Sequence, residues 1–301
     1  MLRTPRYPSA VVIGAGAGIG RALALGLAAK GYIVFGTARS TTEVSDLKAA
    51  SGRRVGLAVC DLARGESIKA WAEGVSDALG DAGLNVLFTN GGRSILGPLE
   101  VLPIEEIRRE FEVNVFGVIS MIGAFVPALR KAHGRIVQIT DWTAAIALPF
   151  DGPSAASQAA MEAIAMVYRA ELRPFGIDVV IASGGIETSM GVADTATKVE
   201  KTKATMTRVH RKLYKRPFDV VGKALASMQD TDADPSVAVS RLIALAEERP
   251  PAICGAITHS AEKIFHAIHP KSEFEIEALR RDFAGFVQTD SYRLPHPTDR
   301  A

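Results

Sequence analysis

Residues 10–30 read AVVIGAGAGIGRALALGLAAK, and this stretch decides the fold. A short apolar run ends in glycines at Gly14, Gly16, Gly18 and Gly20, after which apolar residues recur at helical spacing (Leu23, Leu27) until Gly31. The pattern is a strand feeding a glycine turn that feeds a helix. Glycine suits such a turn because the backbone bends tightly there and lets a pyrophosphate approach the helix N-terminus, where free N–H groups and the helix dipole favour negative charge. A phosphate-bearing cofactor is therefore the expected ligand. Ile19 stands where the common G-x-G-x-x-G spacing would place its third glycine, so the turn is Gly14-x-x-x-Gly18-x-Gly20.

Outward from this unit, strand-like and helix-like runs alternate. YIVFGTAR (32–39), RVGLAVCDL (54–62), LNVLFTNGG (84–92), GRIVQIT (134–140), GIDVVIASGG (176–185) and PPAICGAI (250–257) are the further strands, and amphipathic segments separate them, the longest from Pro103 to Ala132. Alternation of this kind predicts an α/β fold, a doubly wound parallel sheet of about seven strands with helices on both faces. Ligands of such sheets bind at the carboxyl ends of the strands. That rule collects Gly14–Gly20, Arg39, Asp61, Asn90–Gly92, Thr140–Asp141 and Gly184–Thr188 on one rim.

The chain has 301 residues, 48% of them hydrophobic, which allows one large α/β domain or two smaller ones. A formal net charge of +2 gives no global reason to expect nucleic acid. Cys60 and Cys254 are both read as small core residues. With no apolar N-terminal signal and no long apolar span, a reduced cytoplasmic setting without a membrane span is expected. The six histidines are scattered without metal-ligand spacing.

From about Ala10 to Ile257 the rim motifs resemble those of the short-chain dehydrogenase/reductase family. IGAGAGIG is similar to the family's T-G-x-x-x-G-x-G, with Ile13 for the threonine. Asp61-Leu62 matches the pair that meets the adenine ring, Thr89-Asn90-Gly91-Gly92 the N-N-A-G segment, and Asn114 in FEVNVFG the long-helix asparagine. Ser183-Gly184 resembles the P-G segment after the sixth strand. The resemblance implies a Rossmann-type domain over 1–258 with a lid at about 189–228 and a C-terminal extension over 259–301. It implies cofactor contacts at Gly14, Gly18, Ile19, Gly20, Arg39, Asp61, Leu62, Asn90, Gly91, Thr140, Ile186 and Thr188, the last holding the nicotinamide carboxamide. The segment 250–270 resembles, more loosely, the extension of members acting on steroids, retinoids and other bulky alcohols or ketones.

At the end of the second strand GTARSTT offers Arg39 and no carboxylate before Glu43, which favours the 2′-phosphate of NADP(H) over the 2′-hydroxyl of NAD. The family's catalytic serine place falls on Asp141, its tyrosine on Ser154 and its lysine on Gln158, so of four catalytic positions Asn114 alone is kept. Ser154 is a shorter and much weaker acid than a phenol, and Gln158 carries no charge to assist it. Asp141 either becomes an acid through burial or stays ionised beside a cationic substrate such as an iminium. Arg93 is a candidate for a substrate anion. From Lys198 to Arg216 eight lysines and arginines stand against one glutamate, which suits an acidic substrate or an acyl carrier, or a solvated helix face.

These residues lead to an NADP(H)-dependent oxidoreductase with a rebuilt active site, acting on a bulky ketone, imine or iminium. A non-redox cyclase or isomerase and a catalytically inactive partner subunit are the alternatives. The helices Pro103–Ala132 and Ser154–Arg173 resemble the family's association helices, implying a homodimer or homotetramer.

Overall fold

The strand β1 (Ser9–Val12) is buried along its whole length and lies in the middle of the sheet. In this computed structural model residues 7–51, 54–90, 92–184, 192–229, 235–269, 271–272, 275–276, 279 and 282 are described. The elements run β1, α1 (Gly18–Ala29), β2 (Ile33–Ala38), α2 (Thr41–Ala50), β3 (Val55–Val59), α3 (Gly65–Leu79), β4 (Val86–Thr89) and α4 (Ile104–Phe111). A π turn (Glu112–Gly117) then leads into α5 (Val118–Ala132), β5 (Arg135–Asp141), α6 (Gly152–Leu172) and β6 (Asp178–Gly184). The remaining elements are α7 (Val192–Thr205), α8 (Arg208–Gln229), α9 (Pro235–Glu247), β7 (Cys254–Ala256) and α10 (His259–Ile268).

All seven expected strands form, and they pair in parallel in the order β3-β2-β1-β4-β5-β6-β7. The order reverses between β1 and β4, the switch point at whose carboxyl ends such sheets bind their ligands. Central strands are sandwiched between helices and read as continuous apolar runs for that reason. One core layer joins Leu23 and Leu27 of α1 to Leu242 and Ile243 of α9 across Val12, Val34 and Val137. The opposite layer joins Ala72 of α3, Met121 and Phe125 of α5 and Met161 of α6 across Val11, Leu87 and Ile136.

A third cluster sits beyond the carboxyl edge. Leu96, Trp142 and Leu148 from the loops pack there with Val199 of α7, Phe218 and Val221 of α8 and Ile264 of α10. The helices α7, α8 and α10 therefore share one apolar roof.

The amino edge of the sheet is tied down differently. Arg135, 1% exposed, donates to the carbonyls of Leu245 (2.6 Å) and Glu248 (2.9 Å) and to Asp178 (3.3 Å). A cation at the end of α9 meets the negative pole of that helix and its unpaired carbonyls.

Two expectations change. The segment Pro103–Ala132 is two helices joined by a π turn rather than one uniform helix, and the turn holds Asn114. Cys60 is buried but Cys254 is exposed, because β7 has three residues and forms the edge of the sheet. Among the described residues one helical run, Ile104–Ala132, is long and apolar enough by composition to cross a membrane, and half of its most apolar stretch is buried in the protein.

Candidate active site

The glycine turn is built for close approach. Gly14 has φ +73° and its N–H donates to Thr37 Oγ1 at 2.8 Å, so the turn is anchored to β2. A Cβ on Gly20 would meet Gly14 O at 2.2 Å and Asn90 Nδ2 at 2.5 Å, which no side chain tolerates. Gly14, Gly18, Ile19, Gly20 and Asn90 thus gather where the sheet order reverses. Two hydroxyls at strand ends near this rim, Thr89 Oγ1 of β4 and Ser183 Oγ of β6, are buried without a hydrogen-bond partner. Buried polar groups are rarely left so. A rim with a steric cradle and two unpaired hydroxyls fits a dinucleotide.

The outer rim is more polar. Asp61 is exposed, and its Oδ1 accepts from the Ala63 N–H at 3.0 Å, holding the turn into α3. Leu62 packs beneath the π turn, since a Cβ on Gly117 would meet Leu62 O at 2.3 Å. Arg39 is open to solvent, with its side chain 82% exposed, and its guanidinium pairs with Glu43 Oε1 at 3.0 Å while its N–H donates to Glu43 Oε2 at 2.8 Å. A 2′-phosphate bound at Arg39 would compete with this carboxylate for the same cation. Exposed pairs of this kind are worth about 0–1 kcal/mol. Glu43→Gln should accordingly tighten NADPH binding about two- to fivefold and leave NADH binding nearly unchanged, as read by fluorescence titration. Equal changes for both nucleotides would remove Arg39 from phosphate recognition.

The Thr140 hydroxyl donates to Glu162 Oε1 of α6 at 2.8 Å. Gly91, Ile186 and Thr188 lie outside the described residues.

The positions expected to be catalytic fall on the end of β5, the π turn and the start of α6. Asp141 ends β5 opposite Gly184, is 9% exposed, and its Oδ1 accepts from the Thr143 N–H at 2.9 Å. Ser154 lies in the first turn of α6, with Gln158 half-buried one turn further on. Asn114 does not face this group with a free amide. Its Oδ1 accepts from the Arg93 N–H (2.7 Å), and its Nδ2 donates to the Arg93 carbonyl (2.8 Å) and to Ser157 Oγ (3.0 Å). Asn114 therefore fixes the loop after β4. The Arg93 guanidinium is in turn paired with Glu106.

That loop brings in residues the sequence reading did not single out. Ser154 Oγ donates to Glu110 Oε1 at 2.7 Å and lies 3.0 Å from Ser94 Oγ, while Glu110 Oε2 accepts from the Ile95 N–H at 3.0 Å. Glu110 is fully buried on α4. Burial pushes its carboxyl up to about 7, against the pull of the Ser154 hydroxyl, the Ile95 N–H and the charges of Lys198 and Arg93. Asp151, just before α6, is held well above the ordinary carboxyl range by burial and then by the charges of Asp141 and Glu110, with Ser154 and Lys198 pulling the other way. Ser154 therefore does not lack charged neighbours. Glu110 and Asp151 both adjoin it, Asp141 acts electrostatically on Asp151, and Lys198 of α7 acts on both Glu110 and Asp151. One signal for Glu110 was available: it precedes Asn114 by four residues, which on a helix is one face.

Comparison with known proteins agrees with the fold. The sequence profile of the family described as short chain dehydrogenase matches residues 8–199. The chain belongs to the short-chain dehydrogenase family. It is 32% identical over 183 residues to an NADPH-dependent 3-dehydrocapnine reductase of Ornithobacterium rhinotracheale, covering 58% of this chain and 64% of that one. It is 31% identical over 176 residues to a 3-ketodihydrosphingosine reductase of Bacteroides thetaiotaomicron, covering 58% and 62%. The match thus spans less than two thirds of the length of these relatives. A crystal structure of a short-chain dehydrogenase from Streptomyces avermitilis superimposes with a TM-score of 0.71 at 24% identity, over 94% of this chain and 97% of that one, which supports the fold.

Proposed function

We propose that this protein is an NADP(H)-dependent oxidoreductase acting on a bulky ketone, imine or iminium, with a carboxyl–serine group in place of the family's tyrosine and lysine. Support for the cofactor comes from the Gly20 cradle, Arg39 at the end of β2 and a relative named for NADPH dependence. Support for the substrate size comes from the third apolar cluster, whose Trp142 directly follows Asp141.

The observation that carries the mechanism is the hydrogen bond from Ser154 to Glu110, a buried carboxyl raised to about 7. A nicotinamide cofactor held at the Gly14–Gly20 turn would supply or accept a hydride at the substrate carbon. Ser154 holds the substrate oxygen or nitrogen and gives it a proton, and a protonated Glu110 returns one to Ser154, so that reduction consumes one hydride and one proton. Such positioned acids contribute about 10²–10⁴ in rate. We take Asp141 to stand beside the reacting group as a negative charge. That placement also favours a second substrate type: an iminium carries its own positive charge, which Asp141 offsets, and its reduction needs no proton.

The same reading includes association into a homodimer or homotetramer, supported by Phe116, Met166 and Val167 lying exposed along the π turn and α6. Titration with NADPH tests the first step, with binding expected well below the millimolar range that bounds ordinary Michaelis constants. No binding there would overturn the proposal. Substrate turnover without a change in nicotinamide absorbance would transfer it to a non-redox reaction.

A further inference from the structure

The helix α8 has two unlike faces. Inward, Phe218, Val221 and Leu225 are buried against the cluster that includes Trp142. Outward, Arg211, Lys212, Lys215, Arg216 and Lys223 line an open depression of about 410 Å³. The carboxylate in that lining, Asp219, is held by Lys203 at 2.6 Å and so does not neutralise the row. Glu100 is also engaged, by Tyr214 and by His210 at 3.9 Å, on the opposite edge of the helix. Val209 and Leu213 project from the exposed side, 66% and 56% open to solvent.

We propose that the outer face of α8 docks the protein on an anionic phospholipid surface. Charge complementarity requires a polyanion. The two apolar side chains choose among polyanions, because a soluble one leaves Val209 and Leu213 in water whereas a bilayer interface takes the cations at its headgroups and the apolar groups just beneath. Docking here goes beyond the redox reading and does not depend on it. It does bear on the site, because the helix that docks is the one whose inner face covers Trp142.

Cosedimentation with vesicles tests this. At low ionic strength the full chain should pellet with phosphatidylserine-containing vesicles and remain free with phosphatidylcholine alone, and added salt should release it. Each Lys or Arg near such a surface contributes about fivefold in partition, so Lys212→Gln with Arg216→Gln should lower it about 25-fold. The double variant should keep its NADPH affinity, which separates lost docking from lost folding. Leu213→Ser should weaken binding without altering its salt dependence. Failure to bind phosphatidylserine vesicles, or equal binding to both vesicle types, would overturn docking. So would release by inorganic phosphate at matched ionic strength where chloride does not release, or capture by polyglutamate without capture by vesicles, which would reassign the face to an acidic protein.

Discussion

Asp141→Asn should lower turnover by about 10² or more while leaving NADPH affinity within a few-fold. The side chain ends β5, and its Oδ1 caps the following turn by accepting from the Thr143 N–H at 2.9 Å. Asparagine keeps an oxygen for that bond, so the turn survives. What is lost is the charge, and charge stabilisation in a site shielded from water is where the largest catalytic terms lie. A second effect follows from Asp151, whose carboxyl is raised in part by the charge on Asp141. Removing that charge should bring Asp151 back toward the ordinary carboxyl range and shift the pH dependence of the residual activity downward. Steady-state kinetics across pH with NADPH as reductant measures both. Near-normal turnover would show that the chemistry lies elsewhere in the pocket.

The distinction between what the sequence disclosed and what it did not runs along one physical line. Positions set by their own strand were legible as positions on the rim: Gly14 to Gly20, Arg39, Asp61 and Asn90 follow strands, Asp141 ends one, and parallel order puts all strand ends on one rim. Residues brought in from helices and loops were not. Glu110 lies on α4, in a run that also contains Glu105 and Glu106, and only its place one helical turn before Asn114 sets the buried glutamate apart from them. Its burial comes from the loop at 92–95, which Asn114 pins, and that is a tertiary fact. Lys198 arrives from α7, forty residues beyond Gln158, with a positive charge that Gln158 cannot provide. From the sequence, Ser154 is a hydroxyl that Gln158 cannot assist; in the fold it is the centre of a hydrogen-bonded group.

Glu110→Gln should lower reductive turnover by about 10² and remove the activity limb near neutral pH. Reduction needs the protonated carboxyl, so wild-type activity should fall as pH rises through about 7, where Glu110 loses its proton. Glutamine has no proton to lose or return, so the variant should show a flat profile over that range. Stability gives an independent readout. Because the folded carboxyl is raised from an ordinary value near 4.5 to about 7, its contribution is complete below about 4.5 and is lost as pH rises through 7. At pH 8 the wild type holds a buried charge that the variant lacks, so the variant should resist urea better by up to about 3 kcal/mol, with the difference vanishing in acid. If Ser154 passes the proton, Ser154→Ala added to Glu110→Gln should cost little beyond either change alone, since members of one relay are not additive. Independent, multiplying losses would separate the serine from the carboxyl and leave Glu110 as a structural acid.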